Sequence, residues 1–74
     1  MHSSNIDIST LRSEDIVDRR IRLIMMHGDP HPIEPDTLGT IEYLDDGGVL
    51  HVKWDNGRTL GLIIGVDDFE FVYN

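Results

Sequence analysis

Cysteine is absent from the 74 residues. No disulfide framework can staple the chain, and a structural zinc site of the usual thiolate kind is disfavoured. The absence fits a reducing compartment. Basic residues are scarce, six Lys and Arg against 14 Asp and Glu, for a formal net charge of −8. That balance argues against nucleic acid as a partner, because such affinity comes from neutralising phosphates with Lys and Arg, and against anionic membrane surfaces. No apolar run approaches the roughly 18 residues of a membrane span. Residues 1–9, MHSSNIDIS, lack the basic and apolar regions of a secretory signal, so the expected location is the cytoplasm of the host cell. Serine does not occur after Ser13, and no Ser, His and Asp stand at a recognisable motif spacing. No Gly-rich loop opens a helix, which removes a P-loop phosphate cradle. A chain this short also has little room for a cleft backed by a supporting shell of side chains. The expectation is a non-enzymatic protein with no catalytic residues, no cofactor and no metal.

A single domain of this size buries only roughly 60% of its unfolded surface. It must be economical or gain stability by self-association, so a homo-oligomer stays open. Residues 1–12 are polar at the start and read as a flexible or loosely packed segment, followed by one domain over 13–74. Ile6, Ile8 and Leu11 suit either a short strand or a poor helix. Ser13 can cap a short helix, with Glu14 and Asp15 where the helix dipole favours negative charge; it should end near Arg19.

Strand signals follow. Residues 20–26 alternate, with Ile21, Leu23 and Met25 on one face and Arg20, Arg22 and Ile24 on the other. All three prolines, Pro30, Pro32 and Pro35, fall in the next stretch. They fix φ and remove donors, so residues 27–36 read as a stiff, extended loop. A second strand covers 38–44, with Gly39 as a bend or close approach, and Asp45-Asp46-Gly47-Gly48 forms a turn. A third strand covers 49–54, placing Leu50, Val52 and Trp54 inward. Asn56-Gly57 is a strong hairpin signal and predicts a type I′ turn. A fourth strand is expected over 58–64, with Leu60, Leu62 and Ile64 inward, and a fifth over 69–73. Five short strands in a meander can bury a core only by curling on themselves. The predicted fold is mainly β, a five-stranded SH3-like partly open barrel with a short N-terminal helix or helical turn.

These residues form a recognisable set: Arg20-Ile21-Arg22-Leu23, Pro30, Pro32-Ile33, Pro35, Thr37, Gly39-Thr40-Ile41, His51-Val52-Lys53-Trp54-Asp55-Asn56-Gly57, Leu60, Leu62 and Gly65-Val66-Asp67-Asp68-Phe69. The pattern resembles a small family of phage, plasmid and other mobile-element proteins, domain of unknown function 4314. Ile64 is a departure, standing where that family tends to have Pro. The resemblance implies an SH3-like barrel and a mobile-element setting, and it implies no activity.

Candidate binding residues gather in three places. His27, Asp29 and His31 form an H-x-D-x-H cluster on a proline-stiffened loop with Ile33. Imidazole and carboxylate could ligate a divalent ion, but two histidines and an acid in an exposed loop also arise readily without one. Trp54 and Tyr43 beside that loop could make an aromatic groove for an extended peptide; the competing reading is Trp54 as the main core residue with Tyr43 as its lid. Arg12, Arg19, Arg20 and Arg22 supply four of the six basic residues. Together with Arg58 they could meet a phosphate or acidic ligand, or simply balance neighbouring acids. Asp55 is expected to accept hydrogen bonds within its own turn, and Asp45-Asp46 and Asp67-Asp68-Glu70 to be solvated turns.

Two functional readings follow. The first is an SH3-like module that binds a host or mobile-element protein through the 27–36 loop and the adjacent Trp54 hairpin. The second is a small-molecule binder for a nucleotide-like signal, acting as a homo-oligomer that meets phosphates with its arginines.

Overall fold

The computed structural model describes residues 13–73; the expectations for residues 1–12 lie outside them. The elements are α1 (Ser13–Ile16), β1 (Arg20–Met25), β2 (Leu38–Leu44), β3 (Val49–Trp54), β4 (Leu62–Ile63) and β5 (Asp68–Phe71). Among the described residues the fold is mainly β, with five antiparallel strands in one sheet in the order β4-β3-β2-β1-β5. The first four strands are sequential neighbours. The fifth does not pair with the fourth but crosses to lie against β1, with Ile21 opposite Phe71 and Leu23 opposite Phe69. Among the described residues the sheet is therefore not closed into a barrel, and β4 and β5 are its edges.

The core is built as the third strand promised. Leu50, Val52 and Trp54 are all essentially inaccessible, and Ile21, Leu23, Ile33, Ile41, Leu62 and Phe69 pack around them. Gly39 lies directly opposite Trp54 in the β2–β3 ladder. A Cβ at Gly39 would come within 2.6 Å of Val52 Cγ1 and 2.8 Å of Trp54 Cε3, so only glycine lets these side chains cross the strand.

Three sequence expectations fail for identifiable reasons. Strict alternation puts Met25 on the face of the buried Ile21 and Leu23, but the pairing of β1 with β5 slips between Leu23 and Met25. A slip of one residue reverses the facing of all that follow, so Met25 is 46% exposed and Met26 is buried. The fourth strand shrinks to Leu62–Ile63. The Leu60 carbonyl accepts the Trp54 indole N–H at 2.7 Å, so this segment serves the core tryptophan before it joins the ladder. The Asn56-Gly57 turn is not type I′, since Asn56 is not among the residues with positive φ. The Gly57 N–H donates to Trp54 O and the Trp54 N–H to Arg58 O, both at 2.9 Å, with Gly57 at φ +92°. This is a three-residue loop ending in a left-handed glycine bulge. The 45–49 turn repeats the scheme, with Gly48 at φ +84° and the Asp45 N–H donating to Val49 O at 3.0 Å.

Candidate functional site

The 27–36 loop is extended as its prolines require, yet it is tied down along its length. The His31 N–H donates to Asp29 Oδ1 at 2.8 Å, and Thr37 donates through its hydroxyl to Glu34 O at 2.7 Å. Leu23 brackets the far end, its N–H donating to Thr37 O and its carbonyl accepting the Asp36 N–H. Ile33 is buried in the core and anchors the middle. The Arg58 guanidinium then reaches from the β3–β4 hairpin to donate to His31 O at 2.6 Å and Pro32 O at 3.1 Å. Loop and hairpin are thus joined through the main-chain carbonyls of His31 and Pro32. Pro30, His31, Pro32, Asn56 and Arg58 are exposed.

The remaining candidates separate. Trp54 is core, and Tyr43 is not its lid. Tyr43 pairs with His51, whose side chain faces away from Leu50 and Val52, and the two rings stack at 4.1 Å on the outer face of the sheet. No groove between Tyr43 and Trp54 is formed. His27 turns from Asp29 and His31 towards Asp68, with Nε2 at 3.0 Å from its carboxylate. Among the described residues no three His, Asp or Glu side chains converge as a metal-binding group.

The arginines on β1 sit on the outer face and are engaged. Arg20 makes a two-pronged pair with Asp55, at 2.8 and 2.6 Å, and donates to Thr40 Oγ1. Asp55 therefore serves β1 and not its own turn. The Arg20 hydrogen bond holds the Asp55 carboxyl below the usual carboxylate range and raises the guanidinium in return. Arg22 binds Glu70 on β5 and Asp36 at the loop end, and both raise its pKa, Glu70 the more. Asp36 holds this position with φ +71°, a left-handed conformation uncommon outside glycine. Arg19 lies over the rings of Phe71 and Tyr73, at 5.1 and 5.2 Å.

Two carboxylates have roles the sequence did not disclose. Asp45 accepts the Gly47 and Val49 N–H groups through Oδ1 and His51 through Oδ2. The His51 hydrogen bond is the largest cause of its lowered pKa. Asp67, expected in a solvated turn, is buried. Its carboxylate accepts the His27 N–H at 2.7 Å and the Ile63 N–H at 2.9 Å, joining β4 to the chain just past β1. An Asp-Asp dipeptide in a tight turn opened by Gly65 carries no mark that one side chain points inward.

Among the described residues no helix is long and apolar enough to cross a membrane. Neither a curated protein nor a solved structure matches the chain. A family model does match, over residues 4–72, and the motif set from Arg20-Ile21-Arg22-Leu23 to Gly65-Val66-Asp67-Asp68-Phe69 lies within it, so the chain belongs to the family described as Domain of unknown function (DUF4314).

Proposed function

We propose that this protein is a non-enzymatic binding module of phage or mobile-element type, acting in the host cytoplasm, whose 27–36 loop and Trp54–Arg58 hairpin engage a host or element protein. The observation that carries this reading is the Arg58 clamp on the His31 and Pro32 carbonyls. Together with the buried Ile33 it orders the loop in advance, so a partner need not supply the ordering entropy. Proline rings at 30 and 32 stand exposed on this ordered surface, the arrangement expected of a recognition loop on a rigid scaffold. The phosphate-binding alternative has less support, because Arg20 and Arg22 are already held by carboxylates.

The test is affinity capture from host cells with the wild type and with a Pro30→Ser/His31→Ser/Pro32→Ser variant, which leaves Ile33 and Asp36 in place. The expected result is a partner retained by the wild type and lost by a variant of unchanged melting temperature. Equal capture by both proteins would remove the loop from the interface.

A further inference from the structure

We infer that the outer edge of β5 is a second docking site, for an extended peptide segment of another protein that alternates basic and apolar residues. The Val72 N–H donates to the Arg20 carbonyl at 2.9 Å, so Val72 faces β1. By the alternation of an antiparallel ladder, Glu70 also turns its main-chain groups to β1, while Phe69 and Phe71 turn theirs outward. Among the described residues no strand pairs with that outward row. An open row of N–H and C=O groups is a template for strand addition.

The chemistry of the occupant can be read from the strand that β5 already accepts on its other side. There β1 presents Arg22 to Glu70, with Ile21 and Leu23 beside Phe71 and Phe69. The free edge repeats the same acceptors. Glu70 uses Oε2 for Arg22 and Asp68 uses Oδ2 for His27, so Glu70 Oε1 and Asp68 Oδ1 have no partner among the described residues. On the opposite face the half-buried Phe71 and exposed Tyr73 continue an aromatic row from Phe69. A strand added here would lay basic residues beside Asp68 and Glu70 and apolar residues beside Phe71 and Tyr73. A second copy of β5 does not fit. Antiparallel self-pairing would set Asp68 and Glu70 against like charges, which destabilises a strand pair, on two chains that each carry a net charge of −8.

The experiment uses the full chain, 15N-labelled, titrated with a capped synthetic peptide of residues 19–24, Arg-Arg-Ile-Arg-Leu-Ile, which covers most of β1, and with a control in which Glu replaces each Arg. The expected result is saturable shifts at the Phe69, Phe71 and Tyr73 amides with the basic peptide alone. Hydrogen exchange at Phe69 and Phe71 should slow by at least about tenfold. Glu70→Gln, checked for an unchanged fold by circular dichroism, should weaken binding several-fold. Three results would overturn the inference: no shifts at β5, equal binding of the acidic peptide, or Phe69 and Phe71 amides already protected in the chain alone, since the edge would then be occupied. Shifts confined to the 27–36 loop would also overturn it while leaving the loop–hairpin reading intact.

Discussion

Removing the indole of Trp54 should come close to abolishing the fold. Trp54 is 1% exposed and its N–H donates to Leu60 O at 2.7 Å. An aromatic of this class buries about 150–250 Å², worth roughly 4–6 kcal/mol at about 25 cal/mol per Å². Alanine keeps a small part of that, so Trp54→Ala should cost about 3–5 kcal/mol. A domain of 74 residues has a total stability of about 4–11 kcal/mol, so the variant should be marginal or unfolded at 25 °C. Trp54→Phe separates packing from hydrogen bonding. It keeps a ring in the core but leaves the Leu60 carbonyl without its donor, and should cost about 1–3 kcal/mol. Urea and thermal unfolding followed by far-ultraviolet circular dichroism measures both variants without relying on tryptophan emission. At roughly 4–8 °C per kcal/mol for a domain of this size, Trp54→Ala should lower Tm by well over about 10 °C. A Trp54→Ala protein that melts with the wild type would refute the core placement and return Trp54 to the list of surface binding residues. A Trp54→Phe protein that melts with the wild type would show that the bond to Leu60 adds nothing.

Other outcomes follow from the same structure. Gly39→Ala should destabilise by about 1–3 kcal/mol through overpacking against Val52 and Trp54. Gly57→Val should cost a similar amount of about 1–3 kcal/mol, through its φ of +92° and not through crowding; chemical denaturation reads both. Asp67→Ala leaves the half-buried His27 and Ile63 N–H groups without their acceptor, which should cost about 1–3 kcal/mol in all, and hydrogen exchange should quicken first at those two amides. Asp45 and Asp55 both have depressed carboxyl pKa values. Their contribution is complete above the unfolded carboxylate value of about 4 and is lost as pH falls below it. Asp55→Asn should therefore flatten the acid limb of a stability–pH curve, and an unchanged limb would show that the Arg20 pair contributes nothing.

The candidate site was partly legible. Proline spacing announced a stiff loop, and the Trp-Asp-Asn-Gly run announced a hairpin, because both are governed by local backbone chemistry. That Arg58 ties one to the other was not, since the bond joins positions 26 and 27 residues apart through carbonyls that every residue type carries. The outward facing of Tyr43 was hidden for a similar reason: the ladder between β2 and β3 shifts between Ile41 and Tyr43, and alternation cannot announce its own interruption. The same holds for Met25 in β1.

The sequence by itself determined the mainly β class, the inward Leu50-Val52-Trp54 face, the turn positions and the family, because alternation, glycine and proline act over a few residues. Only the tertiary structure decided that β5 leaves its sequence neighbour to pair with β1. It alone also decided that Asp67 is buried between His27 and Ile63. These depend on which distant main-chain groups are left unpaired once the local pieces have formed. A carboxylate or an edge strand goes to whichever donors the packed core leaves exposed, and that remainder exists only after the whole chain has folded.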